Sequence, residues 1–317
     1  MREVKILIVL IFFTAVTYYG IEPYAHHVMH PQTEKADYAF SDLEEFNVVG
    51  DAAQGKELFA MNCQACHSLS SDDVLPPMEH GDLVAAYGVY PPDLSTAGDL
   101  YDTKFLANFI KNPANASFES VYKKHKEAEL ANAKASAKTA EEEQQLQAGY
   151  EKTIASYALK TKISMPAFDY LSNQEIADII AYMQRVKKET TPREAVAQAC
   201  GRCHSVHYGN MTENSSKEQL VGYLGSFPPD LSQMIKSKGD EYLHKFINDP
   251  QKQLLGTAMP RVGLTKEAEE KVVQYLEEVG DAKKSEREEL GLYVILFFIV
   301  MTVFAYFFKV NVFKEVH

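Results

Sequence analysis

Two stretches of the chain are apolar on every face, while the residues between them alternate in short periods. Residues 290–308, LGLYVILFFIVMTVFAYFF, run nineteen positions without a formal charge, about the length a helix needs to cross the hydrocarbon core of a bilayer. They are read as a transmembrane helix, with Tyr306, Phe307 and Phe308 as an interfacial aromatic belt and Lys309 and Lys314 beyond it. The shorter run at 6–19 ends on Tyr18 and Tyr19 and meets no small-x-small cleavage site before Pro23. Residues 1–21 are therefore read as an uncleaved anchor rather than a signal peptide. Arg2 and Lys5 before the first run, and Lys309 and Lys314 after the second, put both ends inside by the positive-inside rule. Residues 22–288 then lie in one outer compartment.

In that outer part the apolar residues recur at helical spacing: Ile176, Ile179, Ile180 and Met183, then Val272, Val273 and Leu276. Ser172 and Thr265 stand where N-caps belong. Strand-like alternation is sparse, so the expected fold is all-α.

The pattern also repeats. Shifting the chain by 137 residues lays Cys63, Cys66 and His67 on Cys200, Cys203 and His204, and PPDLS at 91–95 on PPDLS at 228–232. FLANFIKNP from Phe105 falls on YLHKFINDP from Tyr242, so Pro113 and Pro250 mark helix ends. The register then breaks and resumes at an offset of 94, where the Met-Pro pair at Met165 meets the one at Met259. The first copy thus carries 43 extra residues, at about 114–160, rich in Ala, Glu, Lys and Gln. Thr139 with Glu142 reads as a capping box, so this insertion is expected to be a two-helix hairpin forming a solvated excursion. The organisation is an anchor at 1–21, an acidic linker at 22–50, two tandem units at 51–190 and 191–282, and the membrane helix at 290–308.

The net charge of −12 argues against an extended nucleic-acid surface and suits basic protein partners. The first unit carries most of it, with 15 Lys and Arg against 25 Asp and Glu in residues 34–190, compared with 10 against 13 in residues 191–282. The densest acidic piece, SDLEEF with Asp42, Glu44 and Glu45, follows Glu34 and Asp37 and is read as a solvated linker.

All four cysteines fall in two CxxCH motifs, CQACH and CGRCH. This is the attachment signature of c-type haem. Cys63 with Cys66, and Cys200 with Cys203, can each form two thioethers, and His67 and His204 can coordinate iron. A zinc site needs four tetrahedral ligands, and a redox CxxC has no need of the same His twice. Two covalently bound haem c groups are expected. For the sixth ligands Met165 and Met259 are the candidates, each before a proline that favours extended backbone; a His/Met pair raises the potential. Met61, Met78, Met183, Met211 and Met234 are read as core filler.

In PPDLS, Pro92 and Pro229 are placed at a haem edge, with simple turn structure as the alternative. Asp93 and Asp230 either cap the next helix or brace nearby backbone. His26, His27 and His30 form a cluster read as solvated, and His80, His125, His207 and His244 show no partner pattern.

With these motifs, YPPDLS and FPPDLS, the Met-Pro pairs and the C-terminal anchor, the chain resembles the di-haem cytochrome c1-type subunit of bacterial quinol:cytochrome c reductase, the cytochrome bc1 complex. It departs from ordinary cytochrome c1 in its second haem module and its insertion. The resemblance implies two class I cytochrome c-like domains in the periplasm, anchored in the inner membrane and its lipid. It also implies electron-transfer partners: cytochrome b and a Rieske iron-sulfur protein on the donor side, and a cytochrome c or terminal oxidase downstream. His67 with Met165, and His204 with Met259, would be the axial pairs, and no self-contained substrate chemistry is implied. Rival readings are the di-haem subunit of a cbb3-type oxidase, a free-standing membrane-anchored carrier and a di-haem peroxidase. The C-terminal span and the paired methionines weigh against the first and the last.

Overall fold

The computed structural model describes residues 2–29, 37–158 and 163–314. Among them the β pairing amounts to three isolated bridges, so the protein is all-α, as the periodicity predicts. Helix α1 (Arg2–Val16) continues through a π turn, Thr17–Ile21, into α2 (Glu22–Met29). The first copy of the repeat holds α3 (Ala52–Asn62), α4 (His80–Tyr87), α5 (Ala97–Leu100) and α6 (Thr103–Lys111), then α7 (Ser120–Ser136), α8 (Ala140–Ala158) and α9 (Asn173–Arg185). The second holds α10 (Pro192–Ala199), α11 (Lys217–Leu224), α12 (Met234–Lys238), α13 (Asp240–Asn248), α14 (Pro250–Gln253) and α15 (Lys266–Gly280), before α16 (Lys284–Lys314). Val4–Ala25 and Lys284–Lys314 are long and apolar enough to cross a membrane, and neither apolar window is buried against the rest of the chain. Both suit membrane anchoring.

Each copy closes with its first and last helices packed together, α3 on α9 and α10 on α15. The first pair approaches backbone to backbone, since a Cβ on Gly55 would stand 1.9 Å from the Asp178 carbonyl oxygen. One core gathers Phe59, Leu106, Ile110, Ile176, Ile179, Ile180 and Met183. The other gathers Val196, Leu243, Ile247, Val272, Val273 and Leu276, and takes in Leu100 from the first copy. Each such side chain contributes about 1.5–3 kcal/mol on full burial. Ser172 caps α9 in a reciprocal capping box with Glu175, and Thr265 accepts from the Ala268 N–H at the start of α15.

The copies are joined where Asp102 N–H donates to the Gly263 carbonyl and Thr265 N–H to that of Leu100. Gly263 has φ +75°, and a Cβ there would land 2.0 Å from the Phe105 ring. Only glycine fits that crossing.

Three expectations are corrected here. The acidic segment is not a solvated linker over its described part, residues 37–50: Phe40 and Leu43 are buried with Phe105 and Ala116. Within it, the Asp42 carboxylate accepts from both terminal guanidinium nitrogens of Arg261, at 2.9 and 3.1 Å, while Glu44 and Glu45 pair with Lys111 and Lys104. Glu34 lies outside the described residues. The insertion is a helix hairpin, but its base is docked, with Tyr157 donating to Gln251 across the copies. Thr139 caps α8 as expected, its Oγ1 accepting from Glu142 N–H, but the return bond of the capping box goes one residue back, from Lys138 N–H to the Glu142 carboxylate. Finally, Met61 and Met78 are exposed, whereas Met183 and Met211 are core.

Candidate functional site

Helix α3 ends on Cys63 and α10 on Cys200, each the C-cap residue. From there one tight turn does the positioning. The Cys63 carbonyl accepts from Cys66 N–H (3.1 Å) and His67 N–H (2.9 Å), and the Cys200 carbonyl from Cys203 N–H (3.0 Å) and His204 N–H (2.9 Å). Both thiols and the imidazole of each motif therefore project from a single turn. All four cysteines are free thiols, and burial pushes Cys63 and Cys200 up to about 12. Among the described residues no cluster of three or more His, Cys, Asp or Glu could hold a bare metal ion.

The histidines are held in one tautomer. His67 Nδ1 lies 2.8 Å from the Pro92 carbonyl oxygen, and His204 Nδ1 2.7 Å from that of Pro229. A carbonyl only accepts, so Nδ1 carries the proton and Nε2 keeps its lone pair for a metal. Burial pushes both imidazoles below the usual histidine range, in the neutral form a ligand requires. Pro92 and Pro229, placed by the sequence at a haem edge, thus act through their carbonyls on the histidine. Spacing alone could not show that, because any residue has a carbonyl.

Asp93 fastens this arrangement. Its carboxylate accepts from Ser68 Oγ (2.6 Å), Ser70 N–H (3.1 Å), Ser70 Oγ and Ser95 N–H (2.8 Å). Asp230 does the same with Ser205 Oγ, His207 N–H and Ser232 N–H. Both aspartates brace backbone beside the CxxCH turn, and the next helix in each copy starts without a side-chain cap. Burial alone would raise the Asp93 carboxyl, but hydrogen bonds from Ser68, Ser70 and Ser95 outweigh it and bring it from 3.8 to about 2. A carboxyl lowered by folding stabilises above its unfolded value and loses that contribution as the pH falls through the folded one. Acid unfolding between about pH 4 and 2 should therefore flatten in Asp93→Asn, with a lower plateau at neutral pH, as followed by circular dichroism.

Two further residues hold the methionine loops. Cys66 Sγ meets Tyr87 Oη at 3.3 Å, and the Tyr87 carbonyl accepts from Ser164 Oγ at 2.6 Å, next to Met165. Met165 itself packs on the same core as Cys63. In the second copy Gln251 Nε2 donates to the Met259 carbonyl at 3.0 Å. Sequence reasoning passed over both, since neither Tyr87 nor Gln251 recurs at its repeat-equivalent position. His244, which showed no partner in sequence, lies with Nδ1 2.9 Å from the buried Glu269, to which Tyr38 also donates. The side chains of His26, His27 and His30 lie outside the described residues.

The donor set fits covalent haem, with two thiols and one Nε2 lone pair per turn, and does not reach the four ligands of a structural zinc.

Residues 52–148 match the family model described as Cytochrome c. They include Cys63, Cys66, His67 and Pro92, while Met165 and the second motif lie beyond them. The chain is 30% identical over 69 residues to cytochrome c of Tetrahymena pyriformis, covering 20% of this chain and 63% of that protein. It spans slightly under two thirds of that relative's length. A solved structure titled hyperthermophilic respiratory Complex III aligns with a TM-score of 0.32 at 25% identity, over 40% of this chain and 75% of that one.

Proposed function

Starting from a chain that carries a cytochrome c family domain, with the covalently bound haem c which that family implies, we propose a di-haem electron-transfer subunit of a membrane quinol:cytochrome c oxidoreductase. It would take electrons from a Rieske iron-sulfur protein and relay them to a cytochrome c or terminal oxidase. The observation that carries a second haem is the duplicated support of the CxxCH histidine. His204 on the Pro229 carbonyl, and Asp230 on Ser205, His207 N–H and Ser232 N–H, repeat what His67 does with Pro92 and Asp93 with Ser68, Ser70 N–H and Ser95 N–H. In both turns Nε2 is left with its lone pair, which supports a second ligand-binding turn like the first.

In this reading residues 51–190 and 191–282 are two cytochrome c-like domains. Cys63 and Cys66 anchor one haem, with His67 and Met165 as its axial ligands. Cys200 and Cys203 anchor the other, with His204 and Met259. Each haem, when bound, supplies one-electron chemistry at its iron. The residues around it fix orientation, exclude water and set the potential. Tyr101 packs against both cores and pairs with Leu264 of the second copy, so the two units form a continuous medium for transfer. The two apolar helices would anchor the chain in a bacterial inner membrane, with the haem domains in the periplasm.

Gentle detergent extraction from native membranes, followed by identification of the stoichiometric companions, tests this. A cytochrome b with a Rieske protein is the expected result. A copper-haem oxidase subunit, or no companion at all, would sink it.

A further inference from the structure

The second methionine loop is held by residues from outside its own copy. Tyr122 and Tyr157, on the two helices of the inserted hairpin, stack with centroids 3.7 Å apart at 7°. Tyr157 Oη donates to Gln251 Oε1 at 2.8 Å. Gln251, 1% exposed, spends its amide on two carbonyls of the loop, Thr257 at 2.9 Å and Met259 at 3.0 Å. Its oxygen needs a donor, and the hairpin supplies it. A second tie follows two residues past the methionine, where Arg261 N–H donates to the Ser117 carbonyl at 3.0 Å, in the π turn Asn115–Glu119 that leads into α7.

The first methionine loop is held differently: the position equivalent to Gln251 is Ala114, where the insertion begins, and Ser164 N–H beside Met165 donates instead to Tyr223 Oη of the second copy at 3.1 Å. A solvated excursion would need neither a stacked tyrosine pair at its base nor a buried amide aligned to it.

We propose that the inserted hairpin braces the Met259 loop, making Tyr157 and Gln251 positioning residues for the sixth ligand of the second haem. The inference rests on the assignment of Met259 as that ligand. An insertion in one module then tunes the neighbouring haem. Thioether ligation is weak, so how firmly the loop is held decides how often the iron is open to another ligand. A side-chain hydrogen bond contributes modestly by itself, and two lost together correspond to about a tenfold change in an equilibrium constant.

Imidazole titration of the ferric holoprotein in detergent reads this directly, since imidazole binds where methionine has left. Gln251→Leu should bind it about tenfold more tightly at one of the two haems, and Tyr157→Phe about threefold, by the same hydrogen-bond reasoning. The tightened class should vanish when either variant is combined with Met259→His, which closes the site. Tyr157→Phe removes a hydroxyl near the surface and keeps the ring stack, so it reports even where Gln251→Leu folds poorly. Wild-type affinity in Tyr157→Phe overturns the brace. The underlying ligand assignment is checked separately by Met259→Leu, which should lower the potential of one haem only. An unmoved potential there overturns that assignment instead.

Discussion

With Cys200 and Cys203 both replaced by alanine, the haem bound per chain, measured as pyridine haemochrome against polypeptide mass, falls by half. The thioethers are what make a c-type haem permanent, and without them only the exchangeable axial ligands proposed above, His204 and Met259, would remain. The first haem stays, because Cys63, Cys66 and the Pro92-held His67 stand on a separate core built around α3 and α9. The reciprocal pair, Cys63→Ala with Cys66→Ala, should leave the other half. Undiminished haem in the first variant would remove the second cofactor from the proposal and leave a one-haem protein with a vestigial repeat.

Arg261→Ala should destabilise the protein by about 3–5 kcal/mol, the usual cost of removing one partner from a buried ion pair. The guanidinium is 1% exposed and faces two carboxylates, Asp42 and Asp249, at 5% and 3%. Asp42 is bound through both terminal nitrogens and Asp249 through one, at 3.0 Å. Burial already pushes the Asp249 carboxyl above its usual range, with Arg261 opposing the rise. Without the arginine, two desolvated acids would face each other. Combining Arg261→Met with Asp42→Leu and Asp249→Asn should recover most of the loss, because an apolar replacement of a buried ionic cluster is often neutral. Urea denaturation of the detergent-solubilised holoprotein measures both, and a loss under about 1 kcal/mol for Arg261→Ala would contradict a buried role.

The sequence was most legible where a local pattern decides the structure. Helical periodicity, the Ser172 and Thr265 caps and the two-helix character of the insertion all depend on residues within a turn or two of one another. Repetition made the two CxxCH turns legible as well, since Cys63 and Cys200 share one register with PPDLS. What stayed hidden depends on partners far away in the chain. Asp42 looked like part of a solvated acidic run because Arg261 lies 219 positions later. Only Phe40, Leu43 and Phe46, spaced by three within that run, hinted that one face of it is buried. His244 and Glu269 are similar: an acid on the inner face of α15 is readable as an anomaly, but its partners are not. The roles of Pro92, Tyr87 and Gln251 were invisible for another reason, since each acts through a group whose direction only the fold decides.

The clasp between Asp42 and Arg261 also sets an order of assembly. A chain synthesised from its N-terminus delivers the segment at 37–50 long before residues 249–269 exist to receive it. Phe40, Leu43 and the Asp42 carboxylate must therefore wait, and the first copy cannot complete its surface until nearly all of the second has emerged. Closing so long a loop early would cost entropy with no contact to repay it. That seating is therefore a late docking event, in which the stretch beside the first apolar helix meets the stretch that precedes the second. A chain ending short of residue 261 would lack the arginine that holds Asp42, and that stretch would stay unseated.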